Sequence, residues 1–231
     1  VTGGGEGGCD IGIACRLEGI APGHQLGHEG PAKAVTRTGG IQCLDRIGGH
    51  HAALPYADVP AFVETLRQRN AIVGRALEFC ILTAARTGEV LGARWAEIGM
   101  DGQIWTIPAD RMKAGRQHRV PLTGRAIEIL EVMGAARIGD FVFPGQKAGK
   151  PLSSMAMEMM LRRMKIENAT VHGFRSSFRD WAGNETNFPR ELAEQALAHV
   201  IGDKAEQAYR RGDALERRRT LMEAWATFIS Q

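Results

Sequence analysis

Apolar side chains recur at helical spacing from about residue 62. The stripe Phe62, Val63 and Leu66 predicts a helix that Asp58 begins and that ends at about Gln68. A broader apolar face over 72–84 predicts a central, well-buried helix, which Asn70 can cap and which ends near 86–88. A short helix should follow, beginning between residues 89 and 95.

The pattern then changes to strand period. Residues 103–108 and 117–122 are short β-type runs, and the polar stretch 109–116 between them predicts a hairpin loop that contains or adjoins Lys113. Residues 141–145 predict a short extended segment that ends in a turn. These runs indicate one small antiparallel sheet.

The remaining residues favour helices with identifiable start signals. The predicted helices begin at Thr123, at Ser153 or Ser154 (to about Met164), at Thr170 (to about Gly183), at Pro189 (to Ala198), at Asp203 (to about Tyr209) and at Asp213 (through Phe228). The methionines of the second of these are interpreted as core packing. The fold class predicted is mainly α with a small antiparallel β-sheet, an α+β domain.

Residues 1–49 differ from the rest of the chain in composition and in periodicity. They are rich in glycine and keep neither helix nor strand period, so we expect an irregular segment, followed by a folded domain over 50–231. Cys9, Cys15, His24 and His28 raise the alternative of a zinc site, since His-x3-His is a spacing that zinc sites use. Five residues separate the two cysteines, where two to four are usual, so the irregular segment is favoured and no metal is expected.

Composition narrows the class of protein. A 231-residue chain with 44% apolar residues can bury one good core, and its net charge of +3 permits a polyanionic partner without requiring one. Its four cysteines form no evenly spaced disulfide framework, which fits a reducing compartment. No apolar run reaches the ~18 residues that indicate a membrane span. We therefore expect a soluble, cytoplasmic protein.

Arg86 stands out among the polar candidates. It follows an apolar helix whose neighbours should be buried, and an arginine there needs an anionic partner or a ligand. Glu89, three residues on, is the candidate internal partner. By contrast, a single His-x-x-Arg on a helix, a lysine in a hairpin or one tyrosine before a terminal helix has an ordinary structural explanation.

Taken together, the candidates suit one reaction. Two arginines can clamp the non-bridging oxygens of a phosphodiester with charge-assisted hydrogen bonds. A tyrosine can attack phosphorus, a histidine can accept the tyrosine proton, and a lysine can protonate the leaving alkoxide. The scheme requires convergence of these groups in space but no metal ion.

Five ordered motifs carry a family resemblance. They are Arg86-Thr87-Gly88-Glu89-Val90-Leu91, Lys113 in a predicted hairpin, His172-Gly173-Phe174-Arg175, Leu197-Ala198-His199, and Tyr209. Over about residues 52–229 the chain resembles the catalytic domain of the tyrosine recombinases, the phage integrase family, and within it the prophage and genomic-island integrases.

The resemblance implies a fold, an activity and a set of roles. It implies the DNA breaking-rejoining fold and strand cleavage through a 3′-phosphotyrosyl intermediate, as in site-specific integration of a mobile element. It also implies double-stranded DNA as partner, a tetramer of protomers on DNA, and no cofactor. In free solution we expect this chain to be a monomer. The implied roles are phosphate clamp for Arg86 and Arg175, acid for Lys113, candidate base for His172, phosphate hydrogen-bond donor for His199, nucleophile for Tyr209 and acidic support for Glu89.

Three departures from the family pattern bear on activity. Ala198 stands where many members have glycine, and ten positions rather than nine separate His199 from Tyr209. In addition, residues 1–49 resemble neither the helical clamp domain nor the arm-binding domain that precede this domain in family members. We interpret the chain as a fragment or as one with a lost or replaced front end. Two alternatives stay open: a type IB topoisomerase-like nicking and religating enzyme, and a DNA-binding remnant without recombination activity.

Overall fold

The structure is a computed structural model that describes residues 52–199 and 214–231. Eight α-helices and three strands lie in these ranges. The helices are α1 (Val59–Arg67), α2 (Ile72–Thr83), α3 (Thr87–Leu91), α4 (Gly124–Ala135), α5 (Ala156–Arg163), α6 (Gly173–Asn184), α7 (Arg190–Ala196) and α8 (Leu215–Phe228). The strands are β1 (Ile98–Gly99), β2 (Ile104–Ile107) and β3 (His118–Pro121). The predicted α+β class is confirmed.

Helix α2 is the centre of the core. Its residues from Ala76 to Thr83 are all buried, and it packs against α1, α4, α5 and α8. This is the helix that the broad apolar face over 72–84 predicted. Helix α8 closes the core from the carboxyl end of the chain, where the Trp225 indole is fully buried and donates to the Ile81 carbonyl at 2.9 Å.

The sheet has the order β1-β2-β3 and is antiparallel throughout. In its register Trp105 lies opposite Val120, and Ile107 lies opposite His118. Trp105 and Ile107 point into the core and are fully buried, as strand alternation requires. The predicted hairpin is confirmed, whereas β1 was not predicted because two residues are too few to show a period.

Thr123 and Thr170 make the capping hydrogen bonds expected from sequence, whereas Asp58, expected to begin α1, makes no side-chain cap hydrogen bond. The Thr123 hydroxyl accepts from the Ala126 amide at 3.4 Å, and the Thr170 hydroxyl accepts from the Gly173 amide at 3.0 Å. Asn70 does not cap α2. Its side-chain oxygen Oδ1 instead accepts a 2.5 Å hydrogen bond from the Arg75 guanidinium, a charged donor that competes successfully with the helix amides.

The helix expected to begin between residues 89 and 95 lies earlier in the chain. Helix α3 begins at Thr87, because the Arg86 amide donates to the Glu89 carboxylate at 2.8 Å and so fixes the first turn. A separate 3-10 turn, Trp95–Glu97, follows it. The helix predicted over 203–209 lies outside the described residues. None of the described helices combines the length and the apolar character that a membrane span needs.

Candidate phosphate-binding site

Arg86 lies at the start of α3 and is held by that helix. Its Nη1 donates to the Glu89 carboxylate at 2.7 Å, and its Nη2 donates to the Ala198 carbonyl at 3.4 Å. Glu89 is only 5% exposed, so its charge is balanced by the arginine rather than by water. Glu89 is therefore the partner that the sequence indicated for Arg86.

Arg175 extends from α6 into the same place. It is 5% exposed, and its Nη1 and Nη2 donate to the carbonyls of Ala84 and Leu197, the latter at 2.6 Å. Its buried Nε has no hydrogen-bond partner within the described residues. Peptide carbonyls thus orient Arg175 without neutralising its charge.

Two alanines with left-handed backbone shape this region. Ala84 has φ 49° and ends α2, and Ala198 has φ 50° just after α7. A residue with a Cβ adopts this conformation at a cost of about 1 kcal/mol or more, which glycine avoids. The geometry explains why glycine suits position 198, and both alanines place a carbonyl on one of the two arginines.

The electrostatics of the site are those of two crowded cations. Burial lowers the pKa of Arg175 to about 10, and the nearby charge of Arg86 acts in the same direction. Arg175 still carries its full charge at neutral pH. Since the second cation and the desolvation both penalise that charge, an anion bound here would relieve both penalties.

His199 lies against Arg175, with its Nε2 3.3 Å from Nη2. Its Nδ1 is 2.6 Å from a carboxylate oxygen of Glu194, whose other oxygen is 2.7 Å from Arg179. Burial alone would raise the pKa of Glu194, but the His199 hydrogen bond and the Arg179 charge outweigh it and hold that pKa below its usual value. Glu194 therefore orients the imidazole ring, and sequence reasoning missed it because a five-residue spacing matches no helical face.

The other candidate residues lie on neighbouring elements. His172 is exposed at the amino end of α6, and its carbonyl accepts from the Arg175 amide at 3.1 Å. Lys113 is exposed on the β2–β3 loop and makes no hydrogen bond or ion pair with another residue in 52–199 or 214–231. The structure thus brings Arg86, Glu89, Arg175 and His199 together, while Tyr209 lies outside the described residues.

A half-buried histidine in β3 was not singled out from sequence. Burial lowers the pKa of His118 to about 4, and the charges of Arg218 and Arg175 act in the same direction. His118 is therefore neutral at physiological pH. Its strand position gave no sequence signal, because only the packing of the hairpin brings it close to the arginines.

Metal ligation has no support in the part of the chain that the structure describes. No group of three or more His, Cys, Asp or Glu side chains in residues 52–199 and 214–231 could hold a metal ion. The alternative zinc ligands Cys9, Cys15, His24 and His28 lie outside those residues.

Comparison with known proteins supplies a family for this arrangement. Residues 54–215 match the model of the phage integrase family. Prophage integrase IntA of Escherichia coli (strain K12) is 38% identical over 176 residues, which are 74% of this chain and 42% of that protein. Prophage integrase IntZ of the same organism is 34% identical over 187 residues, 80% of this chain and 46% of that protein.

Solved structures share the fold at low sequence identity. The XerA recombinase has a TM-score of 0.52 at 14% identity, over 71% of this chain and 64% of that one. The Tn1549 transposon integrase, solved with a circular intermediate DNA, has a TM-score of 0.50 at 16% identity, over 73% and 67% of the two chains.

The chain spans somewhat less than half the length of the curated relatives named above. The family match itself covers well over half of this chain, and it includes every position from Arg86 to Tyr209 that the sequence motifs singled out. The chain belongs to the phage integrase family.

Proposed function

We propose that this protein cleaves and rejoins DNA strands through a 3′-phosphotyrosyl intermediate, as in site-specific integration of a mobile element. Residues 50–231 act as the catalytic domain in this proposal, with Tyr209 as the nucleophile. The observation that carries it is the pairing of Arg86 with the buried Arg175. Both guanidinium groups are oriented by the protein. Glu89 balances the charge of Arg86, whereas Arg175 is held by neutral carbonyls, so the pair keeps a positive charge that a bound anion would balance.

In the proposed cleavage step, one bond to phosphorus replaces another. The Tyr209 oxygen forms a bond to phosphorus as the bond from phosphorus to the 5′ oxygen breaks, and His172 accepts the tyrosine proton. Lys113 gives a proton to the departing 5′ oxygen. Arg86 and Arg175 bind the non-bridging oxygens, and His199 bonds one of these oxygens while Glu194 holds its ring.

A nicked duplex whose short 3′ fragment is lost after cleavage tests this chemistry, because it traps the covalent adduct. A pool of such duplexes with randomised sequence contains a usable substrate whichever target site the protein prefers, and the duplex recovered from the adduct is then the selected substrate. We expect a denaturation-resistant adduct that maps to Tyr209 and persists in excess chelator. Tyr209→Phe should abolish the adduct and leave DNA affinity nearly unchanged.

The failure modes of this test are separate. An adduct at Tyr56, the only other tyrosine, would refute the assignment of the nucleophile. A strict magnesium requirement would refute the charge-clamp mechanism. Relaxation of supercoiled DNA without exchange between two sites would favour the topoisomerase-like alternative, and binding without any adduct would favour the DNA-binding remnant.

The assembly is part of the same proposal. We propose a monomer in free solution and a tetramer on DNA, with binding driven largely by phosphate contacts. Each phosphate contact steepens the salt dependence of binding, so an electrophoretic titration across a salt series measures how many contacts residues 1–231 make. Sedimentation with and without the selected duplex measures the assembly, and a tetramer in the absence of DNA would contradict it.

A further inference from the structure

Arg111 connects the hairpin loop to the helix that carries Arg86. Its Nη1 lies 2.5 Å from both carboxylate oxygens of Glu97, and its Nη2 donates to the Glu89 carbonyl at 2.5 Å. The Arg111 side chain is 20% exposed and that of Glu97 is 9% exposed. This guanidinium is therefore a mostly buried bridge with charge-assisted contacts at both ends.

Glu89 serves both arginines at once. Its carboxylate holds Arg86, and its backbone carbonyl holds Arg111. Glu97 is fixed in turn, since it also accepts a 3.0 Å hydrogen bond from the Trp105 indole of β2. Arg86 and the β2–β3 hairpin loop are thus both held by Glu89, through its carboxylate and its backbone carbonyl.

The approach of α3 to this bridge is close. A Cβ added at Gly92 would lie 2.6 Å from the Arg111 Nη2, so only a residue without a side chain leaves the guanidinium in place. Gly92 follows directly after α3. The packing of helix and guanidinium therefore depends on this one glycine.

The bridge is two residues from Lys113. Met112, between them, is buried, and its carbonyl accepts from the Gly115 amide at 2.9 Å, which closes a tight turn over 112–115. Lys113 is the second residue of that turn and is exposed. The Lys113 side chain therefore extends into solvent from a backbone position that the contacts of Arg111 and Met112 hold in place.

We propose that Arg111 is a positioning residue for DNA strand cleavage, which sets the Lys113 ammonium relative to the phosphate clamp by bridging the hairpin loop to Glu97 and to the Glu89 carbonyl. This inference rests on the proposed role of Lys113 as the acid. Displacement of a reacting group by about 1 Å can cost about 10²-fold in rate, so loss of the bridge should be felt in catalysis without any contact between Arg111 and DNA.

The test uses two substrates for each variant, the selected nicked duplex and the same duplex with sulfur at the 5′-bridging position. A thiolate leaves without a proton, so the sulfur substrate does not need the acid. Arg111→Met removes the bridge, and Gly92→Ala displaces it while keeping every charge. Arg116→Met is the matched control, since Arg116 is an exposed cation of the same loop.

We expect Arg111→Met and Gly92→Ala to lower the cleavage rate of the oxygen substrate about 10²-fold and to leave the sulfur substrate nearly unchanged. Lys113→Ala should show the same selective loss. Arg116→Met should leave the ratio of the two rates at the wild-type value. Because each variant is judged by this ratio, partial loss of folded protein, which lowers both rates together, cannot imitate the result.

The outcomes that would overturn the inference are distinct. Equal loss on both substrates for Arg111→Met and Gly92→Ala would make the bridge a general support of the fold, and no loss on either substrate would remove its role. If sulfur rescues Lys113→Ala but neither bridge variant, only this inference fails. If sulfur does not rescue Lys113→Ala, the proposed acid is wrong and the role of Arg111 fails with it.

Discussion

Glu78 offers a quantitative test of how the helical core is held. It is a carboxylate of α2 that is 2% exposed, and it accepts from Arg67 of α1 and from Arg125 of α4. Both Nε atoms reach one oxygen, at 2.7 and 2.8 Å, and a second Arg125 nitrogen reaches the other oxygen at 3.1 Å. One buried side chain thus joins three helices.

Glu78→Gln keeps the shape but replaces one acceptor oxygen with an amide nitrogen. The hydrogen bond to that oxygen is lost, and the two to the other oxygen lose the charge of the acceptor while keeping that of the arginine donor. A hydrogen bond to a charged group contributes about 1.5–3 kcal/mol, and a neutral one about 1 kcal/mol. Because Arg67 and Arg125 are about a third exposed and can turn to water, we expect a loss of about 2–3 kcal/mol in the free energy of unfolding.

Urea unfolding at equilibrium measures this loss, and the chain offers a matched control. Glu128 of α4 pairs with the same Arg125 at 2.8 Å, but its side chain is 61% exposed. Glu128→Gln should therefore change the free energy of unfolding by less than about 0.5 kcal/mol. A Glu78→Gln variant as stable as the Glu128→Gln control would refute the argument that burial gives this carboxylate its energetic weight.

Three further predictions concern single positions. Gly173→Ala should destabilise the fold, because the added Cβ would collide with the backbone of Ala52. Gly183→Ala, near the end of the same helix, meets no neighbouring atom and should stabilise the fold by up to about 1 kcal/mol, so thermal unfolding of the two variants should shift in opposite directions. The pKa of folded His118 is depressed to about 4 from an ordinary 6.5, so the unfolded state takes up the proton first and stability should fall as pH drops from about 6.5 toward 4. His118→Gln should lessen that fall when unfolding is measured across this pH range, and an unchanged profile would contradict the assignment. Burial raises the pKa of the Cys80 thiol to about 12, so mass-spectrometric mapping should find Cys80 alkylated only after unfolding, and rapid labelling of the native protein would contradict its burial.

The helices and the hairpin were predictable because their signals are local. The apolar face of α2, the alternation in β2 and the hydroxyl caps at Thr123 and Thr170 each depend on residues within a few positions of one another. The Asn70 cap and the start of α3 differ from their predictions because a charged side chain nearby bonds the group on which each prediction depends.

In the candidate site, too, some features follow from residues close in sequence and others only from the packing of separate elements. The order and types of its side chains, and the pairing of Arg86 with Glu89 three residues on, follow from the chain alone, since that pair lies within one helical turn. The supports of Arg175, the Glu194 contact to His199 and the Arg111 bridge do not. These contacts join separate elements through peptide carbonyls, which every residue carries, or through spacings that match no helical or strand period. Which carbonyl meets which guanidinium is therefore decided only when the helices pack and the hairpin folds against α3.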